Sequence, residues 1–484
     1  MAAFAELLHR RGAIVSGSDL DEKFYTDEIL QRLNIPYSEH FSAEHIDDST
    51  QLLIHSSAYG DDNPEIACAV EMDIPVMVYT EALGYISSLT ESFGIAGVHG
   101  KTTTTALAGT IAGSVGLEAS VLVGSAVPTF DGFSTACFGN KYFIAETCEY
   151  MRHFLDFHPS SIILTSIEPD HLDYFKDYDD ILDAYISYIA LLPPGGDLIY
   201  CCDDAGASHA AEIMGEKRKD INIIAYGEKA EGTYGIENIC TSEGLSSFTI
   251  RGFDMDFSLK IPGKHLILDS VAAIALIVRT LEKEGRNIDK SLLLKIAAGL
   301  NSFAGSRRRS EIIGEEKGIL FIDDYGHHPT AIKATLEGFR NFYPKRRLIV
   351  DFMSHTYSRT EALLDDFASS FGDADVVLLH KIYASAREKY SGSVSGHDLY
   401  EKTKMKNEKV YYFDEFSQTI DFCRDFLKKG DVFITMGAGN NWQIGKTLYQ
   451  ALKAGRKQVC CSPMSRTAGA GTEERSQMQP KENK

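Results

Sequence analysis

The sequence predicts an α/β protein built on parallel sheets, and three observations carry that prediction. Apolar runs of strand length alternate with helix-length stretches along most of the chain. A loop of glycines, one lysine and two threonines, Gly97 to Thr103, lies between one such run and one such helix. Polar clusters then recur just past the ends of later apolar runs, where open α/β sheets place their ligands. A length of 484 residues leaves room for roughly two to four domains.

Taken in order, residues 3–11 have helical spacing, and Gly12 closes that helix. A short apolar strand is expected from Ala13 to Ser16, then a helix over 24–33 and an apolar run at Leu52 to Ile54. A helix near 64–72 and a strand from Pro75 to Tyr79 follow. This first segment, 1–91, is strongly acidic: residues 1–90 hold 16 acidic and 4 basic side chains, a net −12 out of the chain's −21. The second segment, 92–301, opens at Phe93 and continues into a helix from Lys101 to about Val115. Apolar runs at 142–145 and 161–167 read as buried parallel strands. A helix over 178–192 ends at Pro193-Pro194-Gly195-Gly196, short β runs alternate with turns over 221–262, and a helix covers 267–284. The third segment, 302–455, repeats the pattern, with strands at 319–323, 347–352, 375–379 and 431–436. Its expected helices are 329–341, 360–371, 415–429 and 441–453. Residues 456–484 are polar and poor in apolar side chains, and are expected to be a disordered tail.

Composition excludes several roles. A net charge of −21 argues against general nucleic-acid binding, which needs Lys and Arg along the phosphate backbone. No stretch approaches the roughly 18–20 apolar residues of a membrane span. The first eleven residues carry Glu6 and do not read as a signal peptide. Nine cysteines without regular spacing predict reduced thiols in a cytoplasm, and the pairs Cys201-Cys202 and Cys460-Cys461 match no zinc spacing.

The sharpest motif is Gly97-Val98-His99-Gly100-Lys101-Thr102-Thr103. Glycines let the backbone turn tightly, so that loop amides and the helix N-terminus face phosphate oxygens. Lys101 supplies a point charge for the β- and γ-oxygens, and Thr102 a hydroxyl for Mg2+. The full eight-residue phosphate loop is not met, because Ile95 stands where its first glycine would be. Glu146 and His171 each follow an apolar run; a carboxylate suits Mg2+, whereas His171 reads either as a ligand or as a loop histidine bonded to nearby carboxylates. Three later clusters contain Arg307-Arg308-Arg309, Asp323-Asp324-Tyr325-Gly326-His327-His328-Pro329 and His355-Thr356-Tyr357-Ser358-Arg359-Thr360. Each also fits a helix cap, a turn or a solvated surface run.

Together these residues resemble one family. G-x-H-G-K-T-T, E-x-x-E-Y, I-E-x-D-H-x-D-Y, F-x-G-x-x-R-R, D-D-Y-x-H-H-P-T, H-T-Y-S-R-T and M-G-A-G-x-x-W occur in the order found in Mur ligases, over about residues 1–453. The two histidine-bearing motifs are similar to the subgroup that joins L-alanine to UDP-N-acetylmuramate. The resemblance implies a Rossmann-like N-terminal domain for the UDP-sugar, a central P-loop ATPase domain and a Rossmann-like C-terminal domain. It implies ATP and Mg2+ as cofactors and a cytoplasmic amide ligase of peptidoglycan synthesis working through an acyl phosphate. Carried over by motif, Gly97, Val98, His99, Gly100, Lys101, Thr102 and Thr103 hold phosphate, and Thr102, Glu146 and His171 serve magnesium. Arg308 lies near the γ-phosphate, Asp324 contacts ribose or nucleotide, and His355 and Arg359 line the cleft where the substrates meet.

The sequence departs from the family pattern at several positions. Leu266 and Asp269 stand where two asparagines help read adenine, Ser166 replaces an asparagine, Met353-Ser354 replaces Gln-Pro, and Asn440 replaces an acid. An ionised carboxylate only accepts hydrogen bonds, so Asp269 is expected to change adenine recognition. The family also begins with a strand and a turn G-x-G-G-x-x-M-S, and Met1-Ala2-Ala3 aligns with the end of that turn. A start assigned too late is the expectation, with genuine loss as the other reading. These departures motivate a second functional reading, a catalytically silent homologue that binds nucleotide or UDP-sugar in a regulatory role.

Overall fold

The computed structural model describes residues 1–21, 25–172, 174–242, 244–384 and 394–459. Most of the expected tail, and Asp173 of the histidine motif, lie outside them. Where the tail was expected to begin, the last helix, Trp442–Val459, instead continues.

The large sheet holds ten strands, seven of them in parallel pairings at its centre. Its middle strand, Glu91–Ala96, lies between Tyr142–Glu146 and Ser161–Leu164, with Ile95 opposite Glu146 and Ala96 opposite Leu164. That register brings the glycine loop, Glu146 and the 165–171 segment out side by side at one sheet edge. Five residues of the central strand are buried, as continuous apolar runs with helices on both faces should be. The helix Lys101–Val115 packs on one face with Lys264–Lys283 and Lys290–Ser302 around Ile111, Ala273, Ile277 and Ile296. Tyr178–Ile189 and Ala205–Lys217 cover the other face, over Leu164, Tyr185, Tyr188 and Met214.

A six-stranded sheet carries the third segment in the order Glu311–Glu316, Ile319–Asp324, Asp431–Met436, Arg347–Phe352, Val376–His380, Val410–Phe413. Only the first of these strands runs antiparallel to its neighbour. Asp324, Met436 and Phe352 are level in the ladder, so the three polar clusters of this segment leave the sheet at one end.

Residues 1–90 form two separate two-stranded parallel ladders, Gly17–Ser18 with Tyr37–Ser38 and Leu53–His55 with Val76–Val78. The expected strand Ala13–Ser16 does not form; Ile14 is fully exposed, and an apolar run without a neighbour to pair with gains nothing from extending. The first helix, Ala2–Arg10, is anchored on the large sheet by fully buried Glu6, which accepts from Ser134 N at 3.0 Å and Thr135 Oγ1 at 2.5 Å.

The expected helix 360–371 is two shorter ones, Tyr357–Ala362 and Leu364–Ala368, because Leu363 leaves helical geometry at φ −117°. The apolar-run reading passed over the strands Ala119–Val127 and Asp197–Cys201 and the helices Tyr79–Ser88, Ala205–Lys217 and Gly396–Lys404. Among the described residues no helix is long and apolar enough to cross a membrane, and the cysteines are free.

Candidate active site

The glycine loop owes its shape to two glycines. Gly97 has φ +134°, and a Cβ there would run into the Thr165 hydroxyl. Gly100 has φ +81° and a Cβ there would lie 2.5 Å from Asp269 Oδ1. A side chain at either position is therefore excluded by backbone conformation and by space. The loop is tied to the next strand end, with Val98 N donating to Ser166 O at 3.1 Å and His99 N to Ser166 Oγ at 3.1 Å. Ser166, the replacement for the family's asparagine, thus holds the loop with its own hydroxyl.

Lys101 opens the helix and folds back over the loop. Its Nζ donates to Gly97 O at 2.5 Å and to Glu149 Oε2 at 2.9 Å. Burial works against the charged lysine, but the Glu149 carboxylate outweighs it, so the ammonium holds its proton more tightly than a free lysine. Thr102 Oγ1 donates to Glu146 Oε2 at 2.8 Å, and Gly124 N donates to Glu146 Oε1. His171, in the left-handed region at φ +53°, places Nε2 3.8 Å from Glu149 Oε1 and 3.9 Å from Asp170 Oδ2. The structure therefore brings Lys101, Thr102, Glu146 and His171 to one sheet edge. The hydroxyl and the carboxylate there suit a hard divalent ion in kind, and the His171 imidazole is the less usual ligand for one.

Glu149, which ion-pairs Lys101, was overlooked as a site residue, although it is the second acid of E-x-x-E-Y; it is 2% exposed. Asp170 was overlooked too. It accepts from Arg359 Nη2 at 2.6 Å and Nε at 3.2 Å, a buried pair joining the large sheet to the C-terminal segment. Burial raises the Asp170 carboxyl, but Arg359, His171 and His327 together hold it well below the usual carboxylate range.

The C-terminal clusters face this edge. Ser125 Oγ donates to Arg307 O and Arg307 N to Ala126 O, both at 2.8 Å. Arg308 turns inward, donating to Asp323 Oδ2 at 3.0 Å, Gly437 O at 2.7 Å and Gly439 O at 3.0 Å. Its guanidinium is thus bound within its own domain, while Arg309 lies over the Tyr325 ring. Asp324 accepts from Ser310 N and Gly326 N, both at 2.7 Å, and fixes the turn that presents Tyr325, His327 and His328. His327 is pushed well below its usual value by burial and by Arg359. His355 stacks on Tyr383, with ring centroids 5.9 Å apart.

Asp269 differs from its sequence reading. It is buried among the helices against Gly100, and burial pushes its carboxyl up to about 8. At neutral pH it keeps its proton and so both donates and accepts, as the family's amide does. Leu266, at the other asparagine position, is 4% exposed and belongs to the hydrophobic core.

Three family models match the chain: Mur ligase family, catalytic domain over 1–90, Mur ligase middle domain over 95–277, and Mur ligase, glutamate ligase domain over 308–439. A UDP-N-acetylmuramate–L-alanine ligase of Treponema pallidum is 50% identical over 454 residues, covering 94% of this chain and 94% of that protein. A protein of the same name from Borrelia garinii is 40% identical over 91% of this chain and 94% of its own. Among solved structures, the UDP-N-acetylmuramate-alanine ligase MurC of Thermotoga maritima shares the fold, with a TM-score of 0.76 at 23% identity over 94% of this chain and 97% of that one. With 50% identity to a relative over 454 aligned residues and all three family models matched in order, this chain belongs to the Mur ligase family.

Proposed function

We propose that the protein joins L-alanine to UDP-N-acetylmuramate at the expense of ATP, as a cytoplasmic enzyme of peptidoglycan precursor synthesis. The observation that carries this reading is the 50% identity over 94% of the chain to a relative of that name. The site supports it, since a lysine-bearing phosphate loop, carboxylates at neighbouring strand ends and a histidine- and arginine-rich C-terminal face converge on one cleft.

In this reading residues 1–91 hold the UDP-sugar, 92–301 bind ATP and 302–455 complete the cleft. The amides of Gly97 to Thr103 and the Lys101 ammonium hold the β- and γ-phosphates, which compete with Glu149 for the lysine. Thr102, Glu146 and His171 would hold Mg2+, which supplies charge neutralisation for the transferring phosphoryl group. A carboxylate oxygen of the lactyl group takes the γ-phosphoryl from ATP, leaving ADP. The free alanine amine then adds to the acyl carbon, the nitrogen of the tetrahedral intermediate gives up a proton, and the C–O bond breaks as phosphate departs. Arg308 would serve the γ-phosphate by exchanging its two carbonyl contacts for phosphate oxygens. Asp324 holds the turn beside the nucleotide, and His355 and Arg359 line the cleft for sugar-lactate and alanine. Little covalent side-chain chemistry is needed, because the work is alignment and exclusion of water from the acyl phosphate. The silent-homologue reading draws no support from this site.

Phosphate release from ATP tests the proposal. The expected result is release that requires both UDP-N-acetylmuramate and L-alanine, and that falls at least about a thousandfold in Lys101→Ala, the scale of losing preorganised charge at a transition state. Folded full-length protein that releases no phosphate with both substrates present would overturn it.

A further inference from the structure

A second cluster of metal-ligating side chains sits beside the phosphate loop, apart from Thr102, Glu146 and His171. It is formed by His99 of the loop, Glu168 of the segment after Ser161–Leu164, and His328 at the start of the helix Pro329–Phe342. One ligand atom from each lies within 4.8 Å of the other two. His99 Nε2 is 3.7 Å and His328 Nδ1 3.8 Å from the same oxygen, Glu168 Oε2. Both separations exceed hydrogen-bond reach.

Hydrogen bonding leaves the imidazoles of this cluster unexplained. His328 is 6% exposed, yet neither of its ring nitrogens has a partner, and the buried His99 Nε2 has none either. His328 stands at the N-cap of its helix without making a capping bond. Three buried ring nitrogens are thus left unpaired, and two of them, His99 Nε2 and His328 Nδ1, lie beside one carboxylate oxygen, an arrangement that calls for an occupant. The carboxylate is held in place, because Thr330 Oγ1 donates to Glu168 Oε2 at 2.9 Å. A hydroxyl orienting a ligating carboxylate is the usual outer layer of a metal site.

We propose that His99, Glu168 and His328 bind a borderline transition-metal ion of the zinc type. Two imidazoles and one carboxylate leave a fourth position for water or a phosphate oxygen. Ligands about 2.0–2.1 Å from a tetrahedral ion lie roughly 3.3 Å apart, so each imidazole closes on the Glu168 oxygen from 3.7 and 3.8 Å, and the two imidazoles close on each other from within 4.8 Å. Magnesium is disfavoured, because it prefers oxygen ligands in octahedral array. The ion would cross-link the phosphate loop, the large sheet and the C-terminal segment, and hold the cleft closed over the loop. The site does not depend on which amino acid or sugar the protein joins.

Cobalt(II) titration of the full-length protein in excess Mg2+ tests it. The expected result is one equivalent bound with a visible ligand-field spectrum, lost in His328→Gln and Glu168→Gln and kept in His171→Gln. Thr330→Val, which removes only the orienting hydroxyl, should weaken binding roughly tenfold. Should a ligand variant fail to fold, X-ray absorption of the wild-type protein with one equivalent of zinc decides: two imidazoles and no sulfur support the site. Sulfur ligation, no uptake in excess Mg2+, or undiminished uptake by a folded His328→Gln would overturn it.

Discussion

Asp269 shows how burial changes the meaning of a residue. Its carboxyl, pushed up to about 8, keeps its proton while the unfolded chain loses it above about pH 4. A folded pKa raised above the unfolded value gives stability that is fully present below pH 4 and is lost as pH rises to 8. Asp269→Asn removes that dependence. Its melting temperature should fall less than the wild type's from pH 4 to 8, with a stability difference that grows toward pH 8 to the order of a few kcal/mol. Parallel melting curves across that range would show that Asp269 is ionised in the native protein. Letters alone gave the opposite expectation, because the identity of a residue does not report its dielectric surroundings. Lys101, Thr102 and Glu146 were readable from their motifs, since their roles follow from local backbone chemistry. Glu149, Asp170, Glu168 and His328 were not singled out, because their partners lie in segments far along the chain.

At the scale of elements, the first helix is held by a buried acid as well as by its apolar face, Phe4 and Leu7. Glu6 is fully buried and accepts from Ser134 N, Thr135 N, Thr135 Oγ1 and Arg10 Nε. Glu6→Ala strands these donors, and hydrogen bonds to a charged group are worth about 1.5–3 kcal/mol each. The expected result is a loss of at least about 3 kcal/mol in urea unfolding, with early proteolysis near residues 1–12. An unchanged midpoint would mean that apolar contacts of Phe4 and Leu7 suffice. The helices Lys101–Val115 and Pro329–Phe342 were readable in advance because a glycine loop or a His-Pro pair marks their starts. Ala119–Val127 escaped notice: its stabilising partners are Phe133–Cys137 and Tyr142–Glu146, and small residues such as Gly124 and Ser125 interrupt its apolar pattern. The break at Leu363 has no breaker residue to announce it; the split comes after Thr356 caps a new start by accepting from Arg359 N.

Across the whole molecule, polar contacts join the large sheet to the C-terminal segment. Asp170–Arg359 is the most buried of them, with side chains 9% and 12% exposed, and Thr330–Glu168 and Ser125–Arg307 flank it. A carboxyl held below its usual range contributes stability above about pH 4 and loses it as pH falls through the folded value. The Asp170–Arg359 bridge therefore persists in mild acid. Asp170→Asn leaves the part-buried Arg359 guanidinium without its carboxylate, which costs about 1.5–3 kcal/mol for a hydrogen bond to a charged group. Faster amide exchange at the domain junction is expected, together with a larger radius of gyration and a kcat at least about tenfold lower. A variant as compact and as active as the wild type would show that the bridge does not hold the cleft.

The acyl phosphate is the centre of the functional account, and oxygen transfer tests it most directly. UDP-N-acetylmuramate labelled with 18O in its lactyl carboxylate is turned over with ATP and L-alanine, and the released phosphate is read by 31P NMR. The account predicts one labelled oxygen in each phosphate, because the carboxylate oxygen that takes the phosphoryl group leaves with it. Unlabelled phosphate accompanying amide formation would contradict it.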